Sequence, residues 1–405
     1  MRAQNYTGLV ETTALKLLEY CRARDWAGYD PYDALNSRIF QAIPLLDFRL
    51  ARLCFTQGMK RFPVNLRPLL LIPKTQNPKG LALFLSAAVK LSKLGMVERD
   101  LAGTLAEKLL ACRSPNNSHW CWGYSFPWQT RTVLVPSGAP NIVCTTFAAN
   151  ALLDLFEQNG DSRYLGVALS AADYLLDHLY WSEGDSVASF SYPLPGLRTR
   201  VHNANFLGAA LLCRAYALSA ERKYLEPALK AARYSAGRQR SDGSWDYGES
   251  SSQGWIDNFH TGFNLCALRA IGQNADTDEF EGAIRRGFSF FRANFFSEGG
   301  APKYFHNRLY AIDIHSAAQS MITLASLNHL AEGSIELARA VCDWALHYLR
   351  DNDGYFYFQK HAWYTNRIPY MRWGQAWMLL ALSIMLEQDG QCKDTKHSMI
   401  DANAA

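Results

Sequence analysis

The stretch Gly237 to Leu268 reads GRQRSDGSWDYGESSSQGWIDNFHTGFNLCAL, and its division into pieces decides the fold. A helix is expected to end near Gly237, and Ser241-Asp-Gly243 forms a turn. An aromatic piece, Ser244-Trp-Asp-Tyr247, then runs extended into a polar loop, and Asp257 and His260 open a new apolar helix. The same plan recurs along the chain. Aromatic pieces stand at His119 to Tyr124, Ser189 to Tyr192, Ser244 to Tyr247, Pro302 to Tyr304 and Gly354 to Tyr357. Each leads to an Ala/Leu-rich helix with polar residues at its start: Thr145-Thr146, His202-Asn203, Asp257 with His260, Asp313 with His315, and Arg372 with Gln375. Aligning Thr146, Asn203, His260, His315 and Arg372 gives steps of 57, 57, 55 and 57 residues. A period of that length holds two helices and two connections, so each unit is an αα-hairpin.

The two helices of a unit differ in kind. Phe147 to Leu153, Phe206 to Leu212 and Ala376 to Leu382 are apolar or small on nearly every face, whereas Tyr224 to Arg238 keeps a charged face. A helix apolar all round is enclosed by protein, and an amphipathic one covers it. Alternation of the two predicts an all-α fold, an (α/α)6 toroid of six hairpins closing on themselves in two concentric rings. Helices are expected at Thr12 to Arg24, Ser37 to Gln57, Lys79 to Lys93 and Glu98 to Cys112 before the clear repeats begin. Residues 1–389 read as one domain and the polar residues 390–405 as a disordered tail.

Bulk composition narrows the function. With 41 Lys and Arg against 37 Asp and Glu, the net charge of +4 is spread along the chain and forms no run that suggests nucleic acid. The 9 cysteines include no C-x-x-C pair, which fits reduced thiols in a cytoplasmic protein. The N-terminus has the pattern of no signal peptide, and no apolar run approaches the roughly 18 residues of a transmembrane helix. No cofactor is expected, and no cluster has metal-ligand spacing. An aromatic fraction of 13% exceeds what a core alone asks for and suggests a lined ligand groove.

In a toroid all inner helices run the same way, so their N-termini meet at one mouth. Free N–H groups and the positive end of each helix dipole favour anionic or hydroxyl-rich ligands there. Asp257, His260, Asp313 and His315 are therefore expected to form the catalytic floor. Asp257 and Asp313 could each be a simple helix cap, but two successive repeats carry Asp and then His at the same phase. His202, Asn203, Arg372 and Gln375 are expected beside them, with Tyr124, Tyr192, Tyr247, Tyr304 and Tyr357 at the rim. Asp30, Trp245 and Asp246 complete the expected binding set, and Glu249 stands in reserve.

Asp-Gly-Ser-Trp between helices resembles the α/α-toroid carbohydrate-active enzymes: six-hairpin glycosidases, lyases and sugar epimerases. Trp255-Ile-Asp-Asn258 is similar to the segment that bears the catalytic Asp of unsaturated glucuronyl hydrolases, and only Asp257 carries over, because Thr145-Thr146 occupies the position of that family's other acid. Gly28 to Leu35, Asn77-Pro-Lys79, Pro140-Asn141, His202 to Asn205, Ile256 to Gly262 and Arg372 to Ala376 resemble proteins of bacterial exopolysaccharide gene clusters. Gln239-x-x-x-Gly243-x-Trp245 is similar to a repeat of triterpene cyclases, which share the toroid. These resemblances imply a poly- or oligosaccharide substrate and a place beside polysaccharide-synthesis machinery. Hydrolysis needs two carboxylates, for which Asp257 and Asp313 are the pair. A uronate lyase or C5-epimerase would use His and Tyr, with Arg neutralising the carboxylate. A non-catalytic glycan-binding or assembly protein and an isoprenoid cyclase are the remaining readings.

Overall fold

Each apolar helix of the repeat needs neighbours on all sides, and a closed ring supplies them. The structure, a computed structural model, describes the backbone of residues 3–403 and the side chains of 6–390. In chain order the helices are α1 (Ala3–Arg22), α2 (Arg38–Gln41), α3 (Arg49–Arg61), α4 (Pro78–Lys93), α5 (Asp100–Ala111), α6 (Ile142–Asn159) and α7 (Ser162–Tyr174). There follow α8 (His202–Ser219), α9 (Leu225–Ala236), α10 (Asn258–Ala275), α11 (Glu281–Asn294), α12 (Ile314–Ser326), α13 (Ser334–Tyr348) and α14 (Trp377–Asn403). The inner ring is α4, α6, α8, α10, α12 and α14, each packed on the next, and α14 closes it by packing on α4. Outside lie α1, α5, α7, α9, α11 and α13. This is the expected toroid of six hairpins. One large hydrophobic cluster runs from Tyr6 to Leu386, with a small satellite at Ala34, Met59 and Ile72.

The turn that opens the aromatic piece shows how the outer ring closes. Gly243 has φ +91, a left-handed conformation that glycine tolerates, and a Cβ there would stand 2.4 Å from the Arg286 carbonyl oxygen. The turn thus seats directly on α11. Gly300 repeats the contact against Ala340 of α13, and Gly354 repeats it against Lys16 of α1. Three turns at the repeat spacing each grip the next outer helix, and the last grips the first.

Trp245 belongs to this scaffold. It is 2% exposed, packs on Phe206 and lies where a side chain on Gly287 would have to go. Its Nε1 donates to the Ser235 carbonyl at 3.0 Å near the end of α9. Trp122 makes the same bond to Leu109 at the end of α5. Placing Trp245 in the binding set therefore needs correction: the indole is a core wedge that donates to a helix-terminal carbonyl.

Two boundaries differ from the sequence reading. The helix expected over Ser37 to Gln57 is broken, because Pro44 lacks an N–H and clashes with a preceding carbonyl; α2 ends at Gln41 and α3 starts at Arg49. The last helix runs through nearly all of the polar stretch expected as a tail, as far as Asn403, and residues 404–405 lie outside the described residues. No helix among the described residues is long and apolar enough to cross a membrane.

Trp245→Ala removes the wedge and the indole's hydrogen bond to the Ser235 carbonyl. It is expected to cost about 3–5 kcal/mol in urea unfolding, the range for a buried aromatic cut to alanine.

Candidate active site

All six inner-helix starts contribute to one pit. Lys79 comes from α4, Val143 from α6, Asn203 from α8, His260 and Phe263 from α10, His315 from α12, and Arg372 with Trp373 from the π-helical turn Met371–Ala376 ahead of α14. Tyr124, Tyr192, Tyr247 and Tyr304 wall it, joined by Trp128, Trp255 and Tyr32. Its volume is about 280 Å³. A wider groove of about 640 Å³ adjoins it and shares Trp128, Tyr192, Tyr247 and Trp255 as common wall.

Local sequence explains why these side chains meet. The N-caps Asn77, Asn141, Asp257 and Asp313 each accept a bond from a free amide of the first turn. That anchors the start of each inner helix and sets the direction of the residues just inside it. Asp257 does more than cap. Its Oδ1 takes the His260 amide at 2.9 Å, while Oδ2 meets His260 Nδ1 at 2.7 Å and the Trp255 indole N–H at 3.1 Å. With Nδ1 donating to a carboxylate, Nε2 of His260 is left as the acceptor nitrogen. The ring is 23% exposed and faces the cavity beside Tyr247. Carboxylate, imidazole and open cavity are in line.

His315 is built differently. Its ring is stacked between Phe259 and Trp377, both with centroids at 4.5 Å, and meets Trp373 edge-on at 4.6 Å. Neither ring nitrogen has a hydrogen-bond partner among the described residues. Burial lowers its pKa well below the ordinary value, and Lys79, Arg372 and His260 push the same way. His315 is thus held as a neutral imidazole with one N–H and one lone pair to offer.

Asp313 does not line the pit. It is fully buried, and its carboxylate accepts from the His315 amide at 2.8 Å, the Trp373 indole at 2.9 Å and the Gln359 amide at 2.7 Å. Burial pushes its pKa up to about 6 against the pull of these three donors. Its position is behind Trp373, which it orients. Arg372 lines the pit but is held from behind by Asp30, with Nε to Oδ2 at 2.7 Å and a second guanidinium nitrogen to Oδ1 at 2.8 Å. Asp30 is therefore a buried support for Arg372, fixed in turn by the Tyr32 amide.

The remaining expected residues divide clearly. Asn203 lines the cavity, and its buried Oδ1 is an acceptor without a partner among the described residues. His202 faces away toward Ser235, 3.2 Å from its hydroxyl, and Gln375 lies one turn deeper, where it holds both the amide and the carbonyl of Phe356. Asp246 pairs with Arg240, Glu249 bonds the Tyr234 hydroxyl, and Tyr357 donates to Asp351 at 2.6 Å; none of the three lines the pit. Helix phase explains His202 and Gln375, since one residue's shift turns a side chain by about 100°, whereas Asp246, Glu249 and Tyr357 lie in the connections between helices. Lys79, Trp373 and Tyr32 line the pit although the sequence reading did not place them among the expected site residues. Lys79 was legible as the start of an inner helix one repeat before the recognisable series. Among the described residues no group of three or more His, Cys, Asp or Glu could hold a metal ion.

Burial raises the pKa of Tyr124, Tyr192, Tyr247 and Tyr304, so all four hydroxyls stay protonated and can donate. The site thus combines a His–Asp dyad, a neutral imidazole, four phenol donors and two cations within aromatic walls.

No protein-family profile matches the chain, and no curated protein matches it in sequence. Solved structures do match in shape. A cellobiose 2-epimerase from Bacillus thermoamylovorans aligns with a TM-score of 0.61 at 10% identity, over 78% of this chain and 90% of that one. The cellobiose 2-epimerase of Spirochaeta thermophila gives 0.57 at 14%, over 78% and 87%. A family 76 α-mannanase of Bacteroides thetaiotaomicron gives 0.55 at 14%, also over 78% and 87%. The chain has the α/α-toroid fold of these solved structures. At these identities the likeness establishes the architecture, and the chemistry must be argued from the pit of this α/α toroid itself.

One consequence concerns pH. Burial lowers the pKa of His202 to about 4, so the folded state prefers the neutral ring. Below pH 4 both states are charged; between about 4 and the unfolded value near 6.5 only the unfolded chain binds the proton, so this residue's contribution to stability grows as pH rises through that window. His202→Gln is expected to remove that part of the rise, on the order of 1–3 kcal/mol, read as urea midpoints of both proteins at pH 4.5 and 7.

Proposed function

We propose that this protein is a carbohydrate-active enzyme that moves a proton at a sugar carbon, in an epimerase- or isomerase-type reaction, with His260 and His315 as the working pair. The observation that carries this is the Asp257–His260 dyad opening into the same pit as the partnerless imidazole of His315. Nε2 of His260 is suited to take a proton from a carbon next to a carbonyl, because the Asp257 carboxylate stabilises the imidazolium that results. A neutral imidazole at 315 and the phenol hydroxyls are suited to donate to the oxygen that gains charge. Return of a proton to the opposite face of the same carbon gives the epimer, and delivery to the former carbonyl carbon, with the hydroxyl proton lost from its neighbour, gives the isomer. Aromatic walls suit sugar rings, and Asn203 suits a sugar hydroxyl.

Hydrolysis is less well supported. It calls for two carboxylates at the bond that breaks, and of the expected pair only Asp257 lines the pit. The cellobiose 2-epimerases among the fold neighbours are consistent with proton-transfer chemistry in such a ring, as the mannanases are with hydrolysis. A place in exopolysaccharide production beside the synthesis machinery belongs to the same proposal and rests on the sequence resemblances, as a cytoplasmic location rests on the cysteine pattern.

The test is a panel of reducing sugars and oligosaccharides incubated in D₂O and followed by proton NMR. Deuterium should enter at one carbon without chain cleavage. His260→Asn should slow this by at least about 100-fold, the usual worth of a general base, and His315→Phe should do likewise. New reducing ends without deuterium would instead establish hydrolysis, and neither change would leave a binding protein.

A further inference from the structure

Lys79 is the one cation of the pit left unmatched. Arg372 is held by Asp30 and His260 by Asp257, whereas the Lys79 ammonium has no hydrogen bond and no carboxylate partner among the described residues. Its Nζ sits in a cage of aromatic faces, 4.3 Å from the Phe147 centroid, 5.2 Å from Trp377 and 5.3 Å from Phe263. The residue is 3% exposed, and the Asn77 cap and Pro78 fix its place at the first turn of α4. A buried ammonium without an anion is unfavourable, and ring faces replace only part of the water it has lost. The groups around it do not supply a negative charge: Arg372 with its own Asp30, the Cys144 thiol and the neutral His315. Such a site is arranged for an anion that arrives with the ligand.

We propose that the ligand of the pit carries a carboxylate, as an acidic sugar does, and that Lys79 is the group that neutralises it. This rests on the reading of the pit as a sugar site and names the class of sugar. The adjoining groove agrees in sign, since Arg131, Arg198 and Arg200 line it against Glu183 and Glu249. Arg131 donates there to the Ser252 carbonyl at 3.0 Å. Burial and the neighbouring Arg372 push the Lys79 pKa down to about 7. A bound carboxylate restores the charged form, so binding near pH 7.5 takes up a proton.

The experiment uses the full-length protein and matched sugar pairs: glucuronate with glucose, galacturonate with galactose, mannuronate with mannose. Titration calorimetry in two buffers of different ionisation enthalpy gives affinity and proton uptake together. At least one acid should bind about tenfold or more tightly than its neutral partner, the worth of one charge-assisted contact, with proton uptake. Lys79→Met, which fills the aromatic cage without charge, should bring the pair to equality and abolish the uptake. An acid preference that survives Lys79→Met, or no preference in any pair, overturns the proposal. If neutral sugars bind and exchange deuterium in that case, the proton-transfer reading stands without Lys79; if nothing binds or exchanges, both fall.

Discussion

Closure of the inner ring is the constraint on which everything else depends. α14 packs on α4, and the approach is close enough that a Cβ on Gly80 would lie 3.4 Å from that of Arg372. The first and last inner helices thereby bring Lys79 and Arg372 to the same floor from sequence positions nearly 300 residues apart. An open solenoid with the same hairpins would keep those two starts at opposite ends and form no pit. The driving force is burial of helices that are apolar on every side, which cannot be left at a free edge.

The pit is polar where the ring is apolar, and its polar groups are held in three ways. Arg372 and His260 are each braced by a buried carboxylate, so their geometry is fixed before any ligand arrives. His315 is braced by ring faces, which hold its position while leaving both nitrogens without a partner among the described residues. Lys79 is caged but uncompensated. A side chain held by a partner is ready to work on its free side, and one held without a partner is ready to receive one. The difference separates the groups proposed to move protons from the group proposed to bind charge.

How much of this was legible in the sequence follows from what each feature depends on. The repeat and the ring are carried by hydrophobic pattern and glycine turns, both written locally, so the fold could be read. The convergence of Asn203, His260, His315 and Arg372 follows from the period alone. What the period does not carry is the rotation of each side chain about its helix. That is why His202 and Gln375 turn away, and why Asp313 ends behind Trp373 while Asp257, at the matching position, opens into the cavity. Trp245 looks like a binding aromatic until its indole is seen to serve the end of α9. Lys79 stood outside the recognisable series because the first repeat lacks the aromatic piece that marks the others.

The central claim is that two imidazoles distant in the chain share one sugar-sized space. Its most direct test is imidazole ¹⁵N NMR of the labelled protein during titration with sugars. The account predicts that one ligand moves the ring nitrogens of His260 and His315 together, at a single saturation curve, while His202 stays still. Shifts confined to surface histidines, or at only one of the two rings, would contradict it.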